Sequence, residues 1–174
     1  RLKNLTAKLN LKNDILKIES LGNDKLFAQG SYNLKTRNVK LDGELKNYVL
    51  YGIFDPQVSM YVDSLKANVS GTPDNLNGKI LLTPSTTKIN FNSIGQTRAD
   101  LDIKNSIVNF KDVTLRGNNI SGTYNLKNKV VDLELNLDED DIPKLLKMND
   151  LTFGTKSKIN LKGHLNKFNM YGYL

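Results

Sequence analysis

Apolar and polar residues alternate along most of the chain. Leu5, Ala7, Leu9 and Leu11 are separated by Thr6, Lys8 and Asn10, the period of a strand with one dry and one wet face. Asn13-Asp14 then supplies a turn, Leu16, Ile18 and Leu21 a second strand, and Gly22-Asn23-Asp24 the next turn. Leu26, Ala28, Gly30, Tyr32 and Leu34 predict a third strand, and Val39, Leu41, Gly43 and Leu45 a fourth, joined by the polar turn Lys35-Thr36-Arg37-Asn38. The fold class expected is all-β: an antiparallel meander with short strands.

The alternation breaks at NYVLYGIFDPQ, residues 47–57, where Leu50, Ile53 and Phe54 stand at i, i+3 and i+4. That spacing predicts a short helix. Ile142, Leu145 and Leu146 have the same spacing inside DEDDIPKLLKMND and predict a second, with Asp138 to Asp141 suiting its N-terminus and Pro143 its first turn. Strands resume at Val58, Met60 and Val62 and again at Leu65, Ala67 and Val69. A turn at Thr72 to Asn75 and a strand through Leu76, Gly78, Ile80 and Leu82 follow, and Thr83 to Thr87 reads as a loop.

GSYNLKTRNVKL, beginning at Gly30, returns as GTYNLKNKVVDL, beginning at Gly122, an offset of 92 positions. The offset holds elsewhere without a gap. Ala7, Leu9, Lys12, Asn13 and Ile15 meet Ala99, Leu101, Lys104, Asn105 and Ile107, and Gly71 meets Gly163. This predicts two copies of one unit, 1–92 and a shortened 93–174, within one continuous domain. With no initiator Met, no signal peptide, no apolar run near the roughly 20 residues of a membrane helix, and a last stretch MYGYL still alternating, the sequence reads as a window of a longer repetitive protein.

Charge narrows the function classes. Lys and Arg number 25 against 18 Asp and Glu, a formal net charge of +7. Only Arg1, Arg37, Arg98 and Arg116 are arginines, and lysines are spread over the strands, which argues against a nucleic-acid surface. Lysines as the solvated face and edge protection of strands are the plain reading, and attraction to anionic lipid headgroups is the functional one beside it. Cysteine is absent, so disulfides and thiolate metal sites are excluded.

Candidate chemistry is sparse. The single histidine, His164, falls in a predicted turn with no nucleophile arranged around it. Asp138, Glu139, Asp140 and Asp141 lack the alternating ligands and turn glycine of a calcium loop, and complement a helix dipole better. No phosphate cradle, HExxH, GxSxG or Cys/His zinc spacing occurs. The expectation is a chain that is not an enzyme and uses no cofactor or metal.

What remains is the dry face. Its residues are Leu, Ile, Val and Ala with few aromatics and no Trp, whereas a sandwich core recruits aromatic bulk to fill the space between sheets. Small and medium aliphatics suit a sheet folded around a long apolar trough; an ordinary closed core is the alternative.

Short strands reading G-x-Y-x-L and V-x-L-x-G-x-L, followed by an acidic-led helix, resemble the TamB and AsmA-like family of bacteria with two membranes. The residues carrying the resemblance are Gly30-Ser31-Tyr32-Asn33-Leu34, Val69-Ser70-Gly71, Leu76-Asn77-Gly78, Gly122-Thr123-Tyr124-Asn125-Leu126 and Leu161-Lys162-Gly163. The resemblance implies a β-taco, a long sheet curled along its axis so that its apolar face lines a groove. It implies the periplasm as location, an inner-membrane anchor outside this segment, and phospholipid movement between the inner and outer membranes in support of outer-membrane biogenesis. Phospholipid acyl chains are the implied partner, with a TamA-like outer-membrane barrel beside them and no nucleic acid. A chaperone surface for outer-membrane or autotransporter β-strands is an alternative role, and a closed-core structural or adhesive array a third. The expected lipid-binding groove comprises Leu9, Leu11, Tyr32, Leu34, Val39 and Leu41, with Leu101, Ile103, Tyr124, Leu126, Val131 and Leu133 in the second copy.

Overall fold

A computed structural model describes residues 4–51, 58–89, 92–138, 156–164 and 167–173. They form one antiparallel sheet of twelve strands in strict chain order, with no closing pair between first and last. The strands are β1 (Thr6–Lys12), β2 (Ile15–Gly22), β3 (Leu26–Asn33), β4 (Val39–Tyr51), β5 (Val58–Thr72) and β6 (Asn75–Ile89), then β7 (Asn92–Lys104), β8 (Ile107–Leu115), β9 (Asn118–Asn125), β10 (Val130–Asp138), β11 (Lys156–His164) and β12 (Lys167–Tyr173). Among the described residues there is no helix, so none is long and apolar enough to cross a membrane.

Local geometry recurs at the 92-residue offset. Asn13 and Asp14 have φ of 50° and 60°, and Asn105 and Ser106 have 52° and 62°, the paired left-handed residues of a two-residue hairpin turn. Asp14 O accepts from Leu34 N at 2.8 Å, and Ser106 O from Leu126 N at 2.9 Å. The register of β1 with β2 slips between Lys8 and Leu9, and that of β7 with β8 between Asp100 and Leu101. β2 slips against β3 between Ile18 and Leu21, and β8 against β9 between Phe110 and Val113. In all these cases the second position is the first plus 92.

The expected helix at 47–57 is not formed where the structure describes it: β4 continues to Tyr51, and Leu50 pairs with Met60 of β5. The broken alternation has another cause. Asn47 has φ of 46°, and the dry side passes from Leu45 to Tyr48 and Leu50 across it; Ile53 and Phe54, on which the helical spacing rested, are not among the described residues. Residues 52–57 lie outside the described residues. So does the second expected helix, with Ile142, Leu145 and Leu146.

The expected loop at Thr83 to Thr87 is also strand, within β6. Pro84 has no N–H to offer a neighbour, and the β5–β6 ladder steps from Leu65–Leu82 to Tyr61–Thr86 across it. Hydroxyls fill the interval. Thr83 Oγ1 accepts from Ser64 N and donates to Ser64 O, both at 3.1 Å, Ser85 Oγ accepts from Asp63 N at 3.4 Å, and it donates to Thr83 O at 2.7 Å. Ser85 is accordingly buried although polar. Beside this seam sits a cluster of buried apolar residues, Val62, Leu82, Ala99 and Val113, with Leu50, Met60, Leu65, Leu101, Phe110 and Ile120 against them.

Strand glycines sit where backbones approach. At Gly122, with φ of 125°, a Cβ would stand 2.1 Å from Asp132 O. Replacing Gly122 by Ala is expected to destabilise the chain by about 2 kcal/mol or more, read from denaturant unfolding. Gly43→Ala should be nearly neutral, because its Cβ would meet only ordinary contacts from 3.4 Å outward.

Candidate functional site

Register decides which side chains share a face. Starting at Leu9, the paired positions run Ile18, Gly30, Leu41, Val69, Gly78, Ile103, Val108, Tyr124, Val131, Gly163 and Phe168. The next row on the same face runs from Ala7 through Leu21, Ala28, Gly43, Ala67, Ile80, Leu101, Phe110, Gly122, Leu133 and Leu161 to Met170. Neither row contains a charged or amide side chain from β1 to β11. The intervening row on the other face holds Gln29, Asp42, Asn68, Lys79, Asp102, Asn109, Thr123, Asp132 and Lys162.

The expected groove residues fall on this dry face with two exceptions. Leu9, Leu41, Ile103, Tyr124 and Val131 share the first row, Leu101 and Leu133 the second, and Leu11, Tyr32 and Val39 a third, in which Leu16 joins Leu11 to Tyr32. Leu34 and Leu126 stand in the turns after β3 and β9, not in strands. Exposure is graded: Leu9, Leu11 and Leu34 are 56%, 62% and 50% exposed, whereas Ile103 and Val131 are buried. Leu133, Leu101, Tyr124, Leu126, Tyr32, Val39 and Leu41 are half-buried.

Sequence reasoning passed over Ile18, Val69, Ile80, Val108, Phe110 and Leu161, which stand in the same two rows. Their alternation was visible. Their membership in a shared row depends on bulges such as that between Lys8 and Leu9, which leave no mark in the apolar pattern.

The wet face is laced by cross-strand ion pairs. Lys8 Nζ lies 2.6 Å from Glu19, Lys79 3.2 Å from Asp100, Lys111 2.5 Å from Asp102, Arg98 2.8 Å from Asp112, Lys158 2.7 Å from Glu134 and Lys162 2.8 Å from Asp132. The bulge position is acidic at Glu19 and basic at its 92-offset counterpart Lys111. In both the charge finds an opposite on the preceding strand. His164 is exposed, with Nδ1 3.0 Å from Asn128 O. Among the described residues no three His, Asp or Glu side chains gather as metal ligands; Glu139, Asp140 and Asp141 lie outside them. No family model, curated protein or solved structure matches the chain.

The hydrogen bond and charge of Lys8 hold the Glu19 carboxyl below its ordinary range, Lys46 does so for Glu44, and Lys158 for Glu134. Their contribution to stability is present above the ordinary Glu value of about 4.3 and is lost as pH falls through the lowered folded value. Hydrogen bonds donated to the Glu19, Asp102 and Asp132 carboxylates raise Lys8, Lys111 and Lys162. That contribution is present below about 10.4 and lost as pH rises through the folded value. Melting temperature should therefore be flat through the neutral range and fall at both extremes. Because the lysines of these pairs are exposed, the falls should shrink in about 0.5 M salt, as scanning calorimetry would read.

Proposed function

We propose that this chain is a non-enzymatic, TamB-like segment whose dry face receives phospholipid acyl chains and passes them along the sheet between the inner and outer membranes of the envelope. The observation that carries the reading is the pair of apolar rows crossing β1 to β11 without a charge. Burying acyl chain gains roughly 0.8 kcal/mol per methylene, so a lipid with some 25 of them faces on the order of 20 kcal/mol against crossing water unaided. A continuous apolar path lowers that barrier without recognising any one headgroup. Curling of the sheet into a β-taco would shelter the path, and the parent protein would sit in the periplasm, held by an inner-membrane anchor and engaging a TamA-like barrel.

Two observations favour other readings. The packed cluster around Val62 suits a structural array with a closed core. The seven residues of β1, all exposed and paired on one side only, suit a chaperone edge that would take an unfolded barrel strand by β-augmentation.

Mass spectrometry of the purified chain should find co-purifying phospholipid, whereas a closed core would carry none. Leu133→Arg should lower bound lipid and vesicle-to-vesicle transfer of a fluorescent phospholipid about tenfold. Leu9→Arg, at an exposed position, should do the same with an unchanged melting temperature. Full lipid loading and transfer in both folded variants would refute the conduit, and cross-linking of nascent barrel strands to β1 would favour the chaperone.

A further inference from the structure

Strict chain order puts every odd-numbered hairpin turn, beginning with β1–β2, at one end of the strands. The described residues of that rim carry six cations, Lys12, Lys35, Arg37, Lys104, Lys127 and Lys129, against two carboxylates, Asp14 and Asp74. Asp14 is already taken by Lys35 at 2.8 Å. The other five cations are exposed and have no carboxylate partner among the described residues; Lys25, Lys40 and Lys88 share that state singly, but only on this rim do such cations gather.

The arrangement is repeated within the chain. Lys12, Leu34, Lys35 and Arg37 are matched at the 92-residue offset by Lys104, Leu126, Lys127 and Lys129. Among the described turns of the opposite rim there is no such recurrence, since Asp24 and Lys25 are matched by Arg116 and Gly117. On the cationic rim Leu34 and Leu126 stand among the charges, and Leu34 is half exposed beside a dry face whose Leu11 is 62% exposed.

We propose that this rim docks on the surface of an anionic bilayer, its lysines and arginine against headgroup phosphates and its turn leucines in the interfacial layer. Unpaired cations beside an apolar side chain are what an anionic interface selects. A paired lysine would have to give up its carboxylate first. The inference rests on the lipid reading above and adds where acyl chains would enter: at the end of the strands, where the bilayer surface and the dry face meet. Docking itself needs no transfer, so the two can fail separately.

The experiment is flotation of the intact chain with phosphatidylglycerol-containing vesicles and with pure phosphatidylcholine vesicles. Binding is expected only to the anionic ones, with loss in about 0.5 M salt. Arg37→Glu/Lys127→Glu/Lys129→Glu should weaken it more than tenfold. Lys17→Glu/Lys25→Glu/Lys88→Glu, an equal charge change away from the rim, should weaken it less than threefold, both variants keeping the parent melting temperature. Equal losses in the two variants, equal binding to neutral vesicles, no binding at all, or equally tight rim-dependent binding of a single-stranded DNA oligonucleotide would each overturn the docking assignment. Absence of co-purified lipid with rim-dependent flotation intact would remove the conduit and leave the docking.

Discussion

Everything in this sheet depends on register. Side chains alternate with a period of two, so a slip of one residue between any neighbouring pair would turn the remaining strands' apolar residues toward water. Eleven successive pairings carry the row from Leu9 to Phe168, and several contain a slip that a bulge absorbs. The bulges belong to the design of the dry face. An extra residue on the wet side of β2, at Glu19, and of β8, at Lys111, lets both flanking strands keep their apolar residues on one side.

The hairpin turns secure that register by chemistry that depends little on packing. Asn33 Oδ1 accepts from the backbone of Lys35 and Thr36, and Asn125 Oδ1 from that of Lys127 and Asn128. Ser106 has a wider role than its counterpart Asp14. It is fully buried, its N donates to Leu76 O, and its Oγ accepts from Leu76 N and lies 3.4 Å from Pro73 O. It thereby ties the β5–β6 turn to the β7–β8 turn.

Much of this was legible in the sequence and some was not, for identifiable reasons. Strand residues such as Ala7 to Leu11 and the glycine-bearing hairpins declare themselves by alternation. The run from Asn47 to Tyr51 broke the alternation because one left-handed residue, Asn47, shifts the phase of a strand that continues through it. Thr83 to Thr87 deceived because Pro and hydroxyl residues usually mark loops, whereas here hydroxyls replace ladder bonds that Pro84 interrupts. For the candidate site, alternation gave the correct face for Leu9 and Leu133. It could not give the grading of exposure along the row, nor the placement of Leu34 and Leu126 in turns, because both depend on where strands end.

The slow drift of the row also determines what the sheet can become. Following the pairings from Leu9 across six strands arrives at Ile103, two residues beyond the counterpart Leu101. An eight-stranded barrel of the (β/α)8 type staggers by about eight residues around its circumference, whereas this sheet advances far less per strand and its first and last described strands are not paired. Its strands lie nearly square to the direction of growth, at about 4.8 Å each. Six strands thus advance about 29 Å, and further copies of the 92-residue unit would extend the same line. A gene that duplicates or deletes one unit would change the reach of its product by a fixed step and leave the cross-section as it was.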